Sequence, residues 1–162
     1  IRAAAEVCKR APETHFIAAG EAHPGISPQL VALIDELGLG GRFHFVGHRD
    51  DVQDLLAAMD VFVLSSTAEG FSIATIEAMA ARKPCVVTRS GGPEEIIENG
   101  RTGLLVAVGD ASALAQGILQ VLKAPIEAAA MAERARAAVE QRFSVGKMVS
   151  AYEELYCELL GC

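Results

Sequence analysis

The chain has 162 residues, 51% apolar and only 5% aromatic, which is enough for one ordinary domain to bury a real core. A formal net charge of −7 and a pI near 5.1 argue against nucleic acid or an anionic membrane surface as the main partner, since either needs a basic face. What remains is small-molecule chemistry on an α/β domain.

Cys8, Cys85, Cys157 and Cys162 form no CxxC pair and have no His at zinc-ligand spacing, so they read as reduced thiols of a cytoplasmic protein, with Cys85 in the core. No apolar run approaches the ~20 residues that cross a bilayer. No signal peptide is visible, and the chain begins at Ile1 rather than methionine.

In chain order, IRAAAEVCKRAPE reads as the later part of a helix, with Ile1, Ala5 and Cys8 on one face and Pro12 behind it. THFIAAG (14–20) is a strand ending in a glycine turn. SPQLVALIDELGLGG is a helix capped by Ser27, with Leu30, Leu33, Ile34 and Leu37 as its stripe and Gly38 as its stop. FHFVG (43–47) is the next strand. A short helix follows, capped by Asp50 or Asp51, with Val52, Leu55, Leu56 and Met59 inward.

VFVLS (61–65) has the length and β-branched content of a buried parallel strand. It leads through a loop containing Gly70 into a helix that starts near Ser72, whose apolar face is Ile73, Ile76, Met79 and Ala80. Such a helix points the N–H groups of Gly70, Phe71 and Ser72 out of the carboxyl end of the sheet, where they favour an anion such as a diphosphate. Glu69 and Glu77 are separated by seven residues, so their carboxylates lie roughly 8–12 Å apart. Two acceptor-only groups on either side of an anion site suit hydroxyls rather than phosphates. An activated sugar has that layout: ribose, diphosphate, sugar.

PCVVT (84–88) is a fourth strand, SGGPEE turns into a short helix at Pro93, NGRTG is a turn, and LLVAV (104–108) is a fifth strand. Asp110 caps a helix with Leu114, Ile118 and Leu122; Pro125 opens one running to about Gln141; Ser144 caps the last, with Met148, Tyr152, Leu155, Tyr156 and Leu159. This alternation predicts a doubly wound parallel sheet that binds ligands at the carboxyl ends of its strands.

The string SxxxEGFSxxxxEAMAxxxP, followed by a strand and then by SGGPEEII and NGxTGLLV, resembles the donor-binding C-terminal half of retaining glycosyltransferases of the GT-B fold, the family-four or group 1 type. The resemblance covers nearly all of residues 1–162. It implies a Rossmann-like fold and transfer of a hexose from a nucleoside diphosphate sugar to an acceptor hydroxyl, with retention and without a bound metal or other cofactor. It also implies that Glu69 contacts the donor sugar near the reacting centre, that Glu77 holds the ribose, and that the amides of Gly70, Phe71 and Ser72 cover the diphosphate and sugar.

Gly91, Gly92 and Glu95 match a family loop beside the donor, although GGP before a helix is also an ordinary turn. Gly47 and His48 match the place where the family reads the base, largely through backbone; the His48 and Arg49 side chains read as solvated. His23 is either a cleft residue or a surface one. Arg82 stands where the family commonly has a glycine, at roughly 1 kcal/mol if its backbone is left-handed.

Measured against the family, the chain lacks the acceptor domain and an opening strand whose Gly-Arg loop and nearby Lys neutralise the diphosphate. The expectation is therefore a sheet without its first strand, inactive alone, whose last helix (about 144–160) crosses to the acceptor domain. The full-length enzyme would be cytoplasmic, with peripheral attachment to a membrane left open. Two other classes fit parts of the chain: a nucleotide-sugar binding module without transfer activity, and another Rossmann-like enzyme such as a sugar-nucleotide epimerase. A dehydrogenase is disfavoured because no G-x-G-x-x-G occurs.

Overall fold

The computed structural model of the chain describes residues 1–21 and 27–161. His23 and Cys162 lie outside the described residues. Strands and helices alternate as α1 (Arg2–Arg10), β1 (Phe16–Ala19), α2 (Ser27–Glu36), β2 (Phe43–Gly47), α3 (Val52–Ala58), β3 (Phe62–Leu64), α4 (Ile73–Ala80), β4 (Cys85–Thr88), α5 (Gly92–Ile96), β5 (Leu104–Val106), α6 (Ala111–Lys123), α7 (Pro125–Arg142) and α8 (Val145–Leu160).

All ladders are parallel. β1 pairs with β2, placing Phe16 opposite Phe43, and β4 lies between β3 and β5. The pairings β2-β1 and β3-β4-β5 are those that a 3-2-1-4-5-6 order has on either side of its first strand. β1 and β3 do not pair with each other.

β4 is buried along its whole length, and its period-two alternation feeds two cores. Val86 faces Val7 of α1 and Leu114, Ile118 and Leu119 of α6. Cys85 and Val87 face Leu56, Ala78 and Met79, together with Ala135 and Val139 of α7. α6 comes close because it carries Gly117, where a Cβ would stand 2.8 Å from Val86 Cγ1. A third cluster joins Ala4, Ala5 and Cys8 of α1 to Ile34 and Leu39, with Phe16 and Phe43 packed against it. α1 thus serves both sheets, and each large buried side chain contributes about 1.5–3 kcal/mol.

Several local expectations change. β3 is half-buried rather than buried, since one of its edges has no neighbouring strand. On α4 the packed face is Thr75, Ala78 and Met79, with Ile76 beside it. Ile73, the first helical residue, is 64% exposed, and Ala80 is exposed as well. Thr75 and Ala78 share the packed face with Met79, so a stripe drawn through the large residues alone is rotated. Asp51 occupies the N-cap position of α3 but makes no side-chain cap; its carboxylate takes the Arg49 guanidinium instead, 2.7 Å from Nε. Val52 is exposed.

Ser27, expected as a cap, is the first residue of α2, while the caps of α6 and α8 hold. Asp110 Oδ1 accepts from Ala113 N at 2.8 Å, and Ser144 Oγ accepts from Lys147 N at 3.4 Å. Arg82 has φ +56°, and α4 ends in paired bonds from Arg82 N to Met79 O and from Lys83 N to Ala78 O, the reverse turn that a left-handed residue permits. No helix among the described residues is long and apolar enough to cross a membrane. α8 buries none of its residues.

Candidate functional site

The loop after β3 is pinned from below by the end of β4. Thr88, 3% exposed, donates from Oγ1 to the Ser66 carbonyl at 2.6 Å. Further on, Glu69 N donates to Ser90 O at 2.7 Å and Gly92 N donates to Glu69 O at 3.0 Å, a parallel bridge outside the named strands. Glu69, Gly70, Phe71 and Ser72 are therefore built directly against Ser90, Gly91 and Gly92.

This contact explains the double glycine. Gly91 has φ +107°, and a Cβ on it would stand 2.7 Å from the Glu69 carbonyl oxygen. Gly91 N then donates to Glu94 Oε2 at 2.9 Å, which starts α5. Glu95 is exposed, and its carbonyl accepts from Arg142 Nη2 at 2.6 Å.

Above this clamp, at the N-terminus of α4, Gly70 and Phe71 are exposed and Ser72 is buried. Ser72 occupies the N-cap position, yet its hydroxyl meets Thr75 Oγ1 at 2.7 Å instead of capping the backbone. The N–H groups of Gly70, Phe71 and Ser72 have no hydrogen-bond partner among the described residues. Three donors at a helix N-terminus form a ready site for an anion. Glu69 Oε1 accepts from Ser66 Oγ at 2.6 Å. Glu77 is exposed on α4, its carboxylate without a hydrogen bond or ion pair among the described residues.

Gly47 (φ +68°) and His48 stand at the carboxyl end of β2, and Gly47 O accepts from Gly20 N at 2.8 Å. His48 is solvated, with Nε2 3.4 Å from Asp50 Oδ1. Nearby, Ala18, Ala19, Gly20, Glu21 and Phe45 line a cavity of about 170 Å³. A cavity of about 310 Å³ lies at the opposite ends of β3 and β4, by Val61, Arg82 and Pro84. Glu69 borders neither of them.

Lys83 and Arg89 are basic residues that follow this loop in sequence. Lys83 Nζ holds the Ala57 carbonyl at 2.9 Å, at the far end of α4, and Arg89 is exposed beyond β4. Arg142 arrives from a distant part of the chain: its guanidinium lies 4.7 Å from the Phe143 ring centre, and Phe143 meets Phe71 edge-on at 5.6 Å. Sequence reading also missed Ser66, Thr88 and Ser90; the only available signal was a run of hydroxyl residues at the ends of two neighbouring strands. Burial pushes the Cys85 thiol up to about 12, as befits a core residue. Among the described residues no three His, Cys, Asp or Glu side chains gather as a metal would require.

Comparison with known proteins bears on the family and the fold. The profile described as "Glycosyl transferases group 1" matches residues 1–138. The chain is 40% identical over 131 residues to N-acetyl-alpha-D-glucosaminyl L-malate synthase of Bacillus anthracis, covering 81% of this chain and 34% of that protein. It superposes on the crystal structure of Anabaena HepE in complex with UDP-glucose with a TM-score of 0.86 and 31% identity, over 96% of this chain and 44% of that one. The C-terminal domain of the group 1 protein LpcC from Francisella tularensis has the same fold, with a TM-score of 0.82 at 23% identity, over 89% of this chain and 77% of that one. The chain thus spans about a third of the curated relative and under half of the HepE chain, with the Rossmann-like fold of GT-B glycosyltransferases. It belongs to the glycosyl transferases group 1 family.

Proposed function

We propose that this chain is the donor-binding half of a retaining glycosyltransferase that moves a hexose from a nucleoside diphosphate sugar to an acceptor hydroxyl without a bound metal. The observation that carries the reading is the loop from Glu69 to Ser72. It is clamped to Gly91 and Gly92 at the carboxyl end of the sheet, with three unpartnered N–H groups and one carboxylate side by side.

In this reading the diphosphate rests on Gly70, Phe71 and Ser72, where charge grows as the sugar departs; donors already in place stabilise it without reorganising. Glu69 binds the sugar and stabilises positive charge developing on its ring. Glu77 accepts from ribose hydroxyls, Gly47 and His48 meet the base through backbone, and Gly91, Gly92 and Glu95 border the sugar and diphosphate. The bare apolar face of α8 packs against the acceptor-binding half. UDP-glucose bound to HepE makes UDP-hexoses the first donors to test.

The test is to incubate the full-length enzyme that carries this chain with UDP-, GDP- and ADP-hexoses and to read the anomeric configuration of the product by NMR, with and without a chelator. The expected product keeps the donor's configuration, at a rate the chelator leaves unchanged. An inverted product, or a rate abolished by the chelator, contradicts the proposal.

A further inference from the structure

Ser66 stands three residues before Glu69 and donates to Glu69 Oε1 at 2.6 Å, the length of a charge-assisted O–H···O bond. No other hydrogen bond reaches that carboxylate among the described residues. The backbone clamp to Ser90 and Gly92 fixes the Glu69 main chain, and among the described residues Ser66 is the hydrogen-bond partner that holds its carboxylate. Ser66 is itself anchored: buried Thr88 holds its carbonyl at 2.6 Å, which ties the hydroxyl to the end of the central strand. The order of support runs from the core outward, β4 to Thr88 to Ser66 to Glu69.

We infer that Ser66 is a positioning residue for the transfer step, holding one oxygen of Glu69 so that the other is presented to the donor sugar in a fixed direction. This inference rests on the role proposed for Glu69. A carboxylate that must meet charge developing at one ring position is effective only if its direction is set beforehand, and a serine hydroxyl at hydrogen-bond distance sets it without adding charge.

The experiment uses the full-length enzyme with Ser66→Ala, Ser66→Thr, Glu69→Ala and the Ser66→Ala/Glu69→Ala pair. Ser66→Ala is expected to lower kcat roughly tenfold to a hundredfold, as for loss of a hydrogen bond to a charged group. Nucleoside diphosphate affinity should change by less than about twofold, since the nucleotide does not depend on Glu69. Ser66→Thr keeps the hydroxyl and should recover most of the rate. In the Glu69→Ala background Ser66→Ala should cost less than about twofold more, because nothing is left to position. An unchanged kcat in Ser66→Ala, or the same large loss in both backgrounds, overturns the inference while leaving the role of Glu69 standing. Full turnover in Glu69→Ala would overturn that role, and with it this inference.

Discussion

Gly92 lies so close to Gly70 that a Cβ built on it would stand 2.7 Å from the Gly70 carbonyl oxygen and 2.9 Å from Phe71 Cα. Both neighbours are backbone, so neither can swing aside as the end of a side chain would. The loop that follows β4 and the loop that follows β3 are one object, and glycine at 92 is the condition for it.

Gly92→Ala should therefore force the two loops apart and cost about 1–3 kcal/mol of stability, the range for overpacking a buried site. Urea denaturation of wild type and variant measures it. An unchanged midpoint would mean that the loops do not meet as described.

Much of the fold was legible because its signals are local. The strand at 43–47 and the caps at Asp110 and Ser144 agree with the structure to the residue, since alternation and capping are written within a few positions. Arg82 was legible only through the family resemblance, which puts a glycine at that position; its φ is +56°. The face of α4 is rotated from the expected one because periodicity weighs large residues, whereas the buried face takes in Thr75 and Ala78 beside Met79. The support of Glu69 was hidden for another reason. Thr88 reaches Ser66 through a carbonyl, and backbone acceptors carry no sequence signature. Arg142 and Phe143 reach Glu95 and Phe71 from distant positions in the chain, which no local pattern encodes.

Cys85 should make stability fall at alkaline pH. Burial raises its thiol from 9.0 to about 12 in the folded state, so the folded chain keeps a proton that the unfolded chain loses. Its contribution is complete below about pH 9 and declines by about 1.4 kcal/mol per pH unit up to about pH 12. Denaturation midpoints from pH 8 to 10 for wild type and Cys85→Ala separate this residue from lysines and tyrosines that titrate in the same range. The variant should lose stability less steeply. Parallel slopes would contradict the burial of the thiol.

β1 and β3 each keep one edge without a partner strand among the described residues, and such edges are sticky. The 162-residue chain by itself is expected to show a low unfolding midpoint or a mass above 17.0 kDa that grows with concentration. Light scattering and thermal melts report both. A 17.0 kDa monomer with a high, cooperative transition would mean that these edges are satisfied.

The same chain alone should transfer no sugar and bind nucleotide sugars weakly. A diphosphate brings about two negative charges and a helix N-terminus only about half a positive one, while the chain carries −7. Titrating it with UDP-, GDP- and ADP-sugars tests the electrostatics. Micromolar binding of any of them would mean that three amides and their loops suffice.

The central claim is that two glutamates on one strand–loop–helix unit divide the donor between them, and calorimetry with nucleoside diphosphate on the full-length enzyme tests it most directly. Glu77→Ala should weaken nucleotide affinity by roughly tenfold or more, through loss of charge-assisted bonds to ribose. Glu69→Ala should leave that affinity nearly intact while turnover with the nucleotide sugar collapses. Equal loss of nucleotide affinity in both variants, or none in Glu77→Ala, would contradict the account.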